Sequence, residues 1–283
     1  MTEFNQEYPY NFSDKQFISK VIRNVKNYSV KSSSIIINLS METIIIYPDS
    51  SDDLNTLRKL NKWQSDNFKN VIIKEANSVL IIEDSSFNTP DFSNINTSNF
   101  PMMDLNYFEN TQLIRNDIRK EISTGLWEHV SKLYPELEDL SLWKTPESNI
   151  KVIEKFRFDP YFAIGMSKEY DDSKEIDFML KNYIWFAPQK THCKIHNQHP
   201  FIEFHTQLSG IGRMIKYTYQ NSTKNYEDQR LAVGNSQSHT YCKLNEFNKE
   251  QNKLQLSYPW HEYYSDTDCI WLVTEFWPIG NKK

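Results

Sequence analysis

His196-Asn-Gln-His199-Pro-Phe-Ile-Glu203-Phe-His205-Thr-Gln207-Leu-Ser-Gly210-Ile-Gly212 places three imidazoles and a carboxylate within ten residues. The pattern from 201 to 208 predicts a strand, and side chains on a strand alternate between its two faces. Phe201, Glu203, His205 and Gln207 then share one face with His199 in phase, while Ile202, Phe204, Thr206 and Leu208 turn the other way. Imidazoles and a carboxylate presented together suit a divalent ion such as Fe, Mn, Ni or Zn. The Gly210-Ile-Gly212 turn predicts a return strand over 213–219, a hairpin.

Working outward, the C-terminal half continues as short β-rich runs at 150–158, 161–166, 178–186, 229–233, 239–242, 254–258 and 268–277, with polar turns between them. Such spacing predicts an all-β sandwich or barrel. The last run, Cys269-Ile-Trp-Leu-Val-Thr-Glu-Phe-Trp277, is apolar on both faces and predicts a strand buried on both sides. Six of the seven histidines (192, 196, 199, 205, 239, 261) fall in this half, a clustering that favours a site over scatter.

The N-terminal part reads differently. Ser13-Asp-Lys-Gln16 has the form of a capping box. Phe17, Ile18, Val21, Ile22 and Val25 follow at helical spacing, predicting an amphipathic helix that ends near Asn27. The runs 34–38 and 41–47 predict a hairpin. Leu54, Leu57, Leu60 and Trp63 predict a second helix, and 71–73 and 79–82 two short strands. Mixed elements predict a small α+β unit over 1–90. Residues 10–84 contain no histidine and no glycine, which excludes a phosphate-cradling Gly-rich loop there. A Ser/Asn/Asp/Thr-rich segment predicts a linker over 91–110. Leu113, Ile114, Ile118, Ile122, Leu126, Val130 and Leu133 predict a long helix within a connection over 111–149, ahead of the barrel at 150–283. The fold class expected is therefore α+β: a small α+β unit followed by an antiparallel β-barrel.

Composition narrows the partners. A net charge of −5 without a basic stripe argues against a nucleic-acid partner. No apolar run reaches the roughly 18–20 residues that cross a bilayer, and residues 1–7 lack a signal-peptide pattern, so no membrane is expected. Cys193, Cys242 and Cys269 form no CxxC pair, which fits reduced thiols in the cytoplasm. His192-Cys193-x2-His196-x2-His199 offers zinc donors, but at a spacing unlike the usual structural zinc patterns. There is no G-x-S-x-G for a serine nucleophile.

The chain resembles the cupins. Their first motif is written G-x5-H-x-H-x(3,4)-E-x6-G, and His199-x3-Glu203-x6-Gly210 matches its second half in spacing and residue type. Leu231-Ala-Val-Gly234-Asn-Ser-Gln-Ser-His239 loosely follows the second motif, P-G-x2-H-x3-N. Departures are Asn197 where the first histidine of H-x-H falls, two extra residues before His239, and Lys243 in place of the terminal Asn. The resemblance implies a double-stranded β-helix barrel and one divalent metal per chain, Fe(II) or Mn(II) ahead of Zn or Ni. It maps the ligands to His199, Glu203 and His239, with His196 or His205 completing the set. It implies an enzyme on a small polar molecule: a non-haem metal oxygenase first, an isomerase or lyase second, a non-catalytic binding module third. Glu203 and His205 are the expected proton-transfer groups, and Gln207, Arg213, Tyr217 and His261 the expected substrate contacts. A homodimer is the expected assembly.

Overall fold

The computed structural model describes residues 3–9, 18–50, 57–83, 143–144 and 155–280, apart from 188, 190–191, 194, 198, 221, 223 and 238–240. The expected linker over 91–110, the long helix over 113–133 and His239 lie outside the described residues.

The N-terminal part is built from strands alone among its described residues. β1 (Gln6–Pro9), β2 (Ser19–Val30), β3 (Ser34–Asn38), β4 (Ile44–Pro48), β5 (Arg58–Leu60), β6 (Ser65–Phe68) and β7 (Val71–Glu83) form one seven-stranded sheet, every pair antiparallel. The expected α+β unit is thus corrected to all-β. Where a first helix was expected, the chain is β2. Asn24 and Asn27 adopt left-handed backbone with φ of 51° and 49°, a region that asparagine enters more readily than most residues. Each interrupts the pleat, so that Ile22, Val25 and Tyr28 all reach one apolar cluster. A spacing of three that reads as helical arises here on an interrupted strand.

The second expected helix is β5 followed by a turn at Trp63, whose φ is 60°; residues 51–56 lie outside the description. β3 and β4 do not form a hairpin. Both pair along the same edge of β7, β3 beside its second half and β4 beside its first. The two short strands expected at 71–73 and 79–82 are the two ends of β7, which stays paired with β2 through the polar stretch between them.

The C-terminal half is antiparallel β, as expected. A central sheet runs in the order β11 (Ile202–Ser209), β17 (Cys269–Pro278), β10 (Ile176–Ala187) and β8 (Trp143–Lys144), with β9 (Phe156–Phe158) also on β10. An outer sheet runs β13 (Asn225–Leu231), β12 (Gly212–Tyr217), β16 (Trp260–Ser265), and β14 (Lys243–Asn248) pairs β15 (Lys253–Ser257). Where a strand was expected over 161–166, the chain makes a one-turn helix, α1 (Pro160–Ala163). The Asp159 side chain accepts from the Tyr161 N–H at 2.9 Å and Pro160 opens the turn, both helix-start features.

β11 and β12 are not hairpin partners either. Gly210-Ile211-Gly212 carries the chain from the central sheet to the outer one. Gly210 has φ +73° and a Cβ on it would lie 2.0 Å from the Asp268 carbonyl oxygen; one on Gly212 would lie 1.8 Å from the Tyr263 hydroxyl. The tight crossing needs glycine at both places. Residues 234–237 hydrogen-bond along the free edge of β11, and 192–196 along the free edge of β16, so the two sheets curl into a half-barrel.

β17 organises the packing. Ile270, Leu272 and Phe276 enter a cluster shared with Val21, Ile35, Ile37, Leu80 and Ile82 of the N-terminal sheet. Cys269, Trp271 and Val273 enter another with Met214 and Tyr263 of the outer sheet. The sequence reading of a strand buried on both faces holds because β17 lies in the middle of three layers. Trp63 joins the first two layers, its ring stacked on Phe204 at 5.6 Å and on Phe276 at 5.5 Å. Among the described residues no helix is long and apolar enough to cross a membrane.

Trp63→Ala should therefore destabilise the whole chain by about 3–5 kcal/mol, with the N-terminal and C-terminal strands still melting in one transition. Denaturant unfolding followed by circular dichroism and by tryptophan fluorescence checks this. Two separated transitions would refute the shared core.

Candidate metal centre

The alternation expected along β11 is present. Ile202, Phe204 and Leu208 pack into the cluster shared with the N-terminal sheet, while Glu203, His205 and Gln207 face the outer sheet, and all are buried. Cross-strand register sets Glu203 opposite Glu275 on β17, and Glu275 opposite Lys181 on β10. This buried charged row also carries Trp277, whose Nε1–H donates to Glu275 Oε2 at 2.6 Å and whose ring lies 4.6 Å from Lys181 Nζ.

Three histidines meet beside this row. His196 and His261 exchange backbone hydrogen bonds of 3.0 and 2.9 Å, which places the 192–196 segment along β16. His199, three residues on, turns its ring against both: centroids are 4.6 Å from His196 and 5.2 Å from His261. One nitrogen from each ring lies within 4.8 Å of the other two. His199 Nε2 and His261 Nε2 are 3.2 Å apart. His261 Nδ1 sits 2.8 Å from the Pro259 carbonyl oxygen, which can only accept. That contact assigns the proton to Nδ1 and leaves the Nε2 lone pair aimed at His199. A carbonyl-oriented imidazole of this kind is the arrangement that metal-ligating histidines adopt.

The electrostatics point the same way. Burial lowers the His199 pKa to about 4, against the pull of Glu203. Burial, followed by the neighbouring His196, holds His261 well below the usual imidazole range. Both rings are neutral near pH 7, as ligands must be. Burial works against the charge of Glu203, but His199 and His205 outweigh it and keep its carboxyl well below the usual range. A neutral His199 offers Glu203 a dipole rather than a full charge. The ionised carboxylate then relies on the Tyr241 hydroxyl, which donates to Oε1 at 3.0 Å. Glu203 Oε1 is 3.7 Å from His199 Nε2 and 3.5 Å from His205 Nε2. A buried carboxylate beside the neutral His199 and His261 is a donor set suited to a cation, and the residues present fit a divalent metal.

The other expected site residues fall as follows. His205, with Nε2 3.5 Å from Glu203 Oε1, is outside the three-histidine group, and its buried Nδ1 has no hydrogen-bond partner among the described residues. Gln207 is fully buried and committed to the protein, donating to the Ser209 carbonyl at 2.6 Å and accepting from the Tyr263 hydroxyl at 2.5 Å. Arg213 forks onto Asp266 at 2.7 and 2.5 Å and reaches Asp228 at 2.9 Å, ion pairs that raise its pKa. The Tyr217 hydroxyl donates to Glu262 Oε1 at 2.5 Å; Glu262 follows His261 on β16 and so faces away from the three-histidine group, toward His192, whose Nδ1 lies 3.3 Å from Oε2. His261, expected as a substrate contact, stands instead among the metal-binding donors. Tyr241 and Lys216 escape the sequence reading, because Lys216 reaches the site through its register with His261 and Tyr241 from the irregular segment before β14, neither through motif spacing.

No protein-family model and no curated protein matches the chain. Among solved structures it is similar to a conserved protein of unknown function from Streptococcus pyogenes (16% identity, 35% of this chain and 65% of that one, TM-score 0.23). It is also similar to the DMSP lyase DddQ of Ruegeria pomeroyi (14% identity, 40% and 45%, TM-score 0.25). A third is the oxalate decarboxylase of Bacillus subtilis (10% identity, 98% and 78%, TM-score 0.28). The matched region thus spans less than two thirds of the first two chains. Superpositions of this quality establish neither a family nor an activity.

His261→Ala should abolish tight binding of Co(II) in calorimetric titration, because it removes one of three converging donors. Arg213→Ala should leave that binding unchanged. Equal behaviour of the two variants would count against the three-histidine centre.

Proposed function

We propose that the protein is a cupin-type enzyme that holds one divalent cation between His196, His199 and His261, with Glu203 beside it, and acts on a small polar molecule. The observation that supports this most is the convergence of three buried or half-buried imidazoles on one point, at least two of them neutral. The matching spacing of His199, Glu203 and Gly210 to the cupin motif adds to it. Fe(II) or Mn(II) is the cation we favour, with Zn or Ni as substitutes. A bound ion of this kind supplies Lewis acidity, and iron supplies redox chemistry as well.

The first reading of the reaction is a non-haem metal oxygenase, carried over from the resemblance. A specific observation favours the second, an isomerase or lyase: Tyr241, Glu203 and His205 form a short chain of proton-handling groups next to the histidines. In that reading Glu203 Oε1 takes or returns a proton, Tyr241 holds the carboxylate oriented, and His205 relays through Nε2. The apolar rings of Phe201 and Tyr258 against His199 keep water from this corner of the half-barrel.

Elemental analysis of the protein purified without tag or chelator, beside a His199→Ala/Glu203→Ala double variant, tests the reading. The expected result is about one transition metal per chain in the parent and a loss in the variant. Oxygen uptake across a panel of small polar molecules then separates the two reactions, and Glu203→Gln should lower kcat about 10²–10⁴-fold in the proton-transfer case. Absence of metal in both proteins after anaerobic reconstitution would leave a non-catalytic binding module.

A further inference from the structure

The charged groups around the histidines specify the class of molecule that the site receives, an inference that rests on the metal reading above. A divalent cation brings two positive units and Glu203 removes one. Lys181 and Glu275, opposite each other in register, offset one another. Lys216 remains. It is the register partner of His261 on β12, so its side chain leaves the sheet on the same face as the His261 ring. Its Nζ lies 5.1 Å from the Tyr241 ring centroid, and that ring is 4.8 Å from His261. The Lys216 side chain is 13% exposed, and its ion-pair partner Glu227, at 2.6 Å, is 42% exposed.

A carboxylate that is half in water is a weak hold on a nearly buried ammonium, because solvent screens it. Lys216 is thus placed to exchange Glu227 for an anion arriving from the site. A metal-loaded centre would also keep one positive unit uncompensated, among the side chains of Phe201, Tyr241, Tyr258 and Trp277. Leaving such a charge unpaired in a low-dielectric pocket is costly, whereas an anionic ligand removes the cost.

We propose that the site binds small carboxylate monoanions, with an oxygen donor directed to the histidine-held cation and Lys216 as the specificity-determining contact. Neutral isosteres of the same shape bind poorly, since they leave the positive unit of the metal centre uncompensated and Lys216 with only its solvent-screened Glu227 partner.

The test uses the Co(II)-loaded full chain, titrated calorimetrically with glycolate and with its neutral isostere glycolamide. Glycolate should bind at least about tenfold more tightly, a preference of about 1.4 kcal/mol or more. Lys216→Met should reduce that preference while retaining Co(II) affinity. Glu227→Gln frees Lys216 at an exposed position and should tighten glycolate binding; a purely structural role for Lys216 predicts no such gain. Equal binding of glycolate and glycolamide, or an unchanged preference in both variants, overturns the inference and leaves the metal centre standing. Failure of the parent chain to take up Co(II) at all overturns the metal reading itself, and this inference with it.

Discussion

β17 has no face turned to water, and the three-layer arrangement follows from that constraint. One set of its side chains, Ile270, Leu272 and Phe276, is covered by the N-terminal sheet; the alternate set, Cys269, Trp271 and Val273, is covered by the outer sheet. Apolar side chains on both faces of a strand can be satisfied only by layers on both sides. β10 and β11 flank β17 in the same sheet, so the strand that carries Glu203 and His205 inherits its support from behind. Phe204, between those two residues in sequence, turns back onto the Trp63 ring. The N-terminal sheet thus backs the site without contributing a donor to it.

Support of this kind allows polar groups to stay buried on the other face. Glu203, His205, Gln207, Lys181 and Glu275 are all buried on the central sheet, where a fluid environment would let them seek water. Tyr263 of the outer sheet holds Gln207, and Tyr241, just before β14, holds Glu203. The neighbouring imidazoles of His199 and His205 keep the Glu203 carboxylate charged at a position where burial alone would neutralise it, and the Tyr241 hydroxyl donates to it as well. The histidine cluster follows the complementary rule, burial keeping His199 and His261 neutral and their lone pairs available.

A second chain of contacts links the layers at the edge of the site. Ser65 of β6 donates to the Gly234 carbonyl at 2.6 Å, its hydroxyl lies 2.6 Å from that of Ser236, and Ser236 lies 2.7 Å from Thr206 of β11. The same 234–237 segment is hydrogen-bonded to the backbone of His205 and Gln207. The N-terminal sheet therefore pins the segment that lines the edge of β11, and fixes the position of the site strand from two sides.

The sequence by itself determined the antiparallel C-terminal half, the two-faced burial of β17 and the division of β11 into a polar face and an apolar one. The two faces of β11 follow from a period of two along one strand, the burial of β17 from an unbroken apolar run, and the antiparallel half from short runs parted by polar turns, all of which local order records. It also gathered His196, His199 and His261 among its candidate site residues, because clustered imidazoles are visible without a fold. Only the tertiary structure decided that His261 joins His196 and His199, that Arg213 and Tyr217 turn toward their own acidic partners, and that Lys216 approaches from β12 and Tyr241 from the segment before β14. Those contacts depend on which strand pairs with which and in what register, information held in long-range packing. The helix expected where β2 lies has a related cause. At Asn24 and Asn27 a left-handed backbone breaks the period of two, and the resulting spacing of three in Ile22, Val25 and Tyr28 resembles a helix until the pairing with β7 is seen.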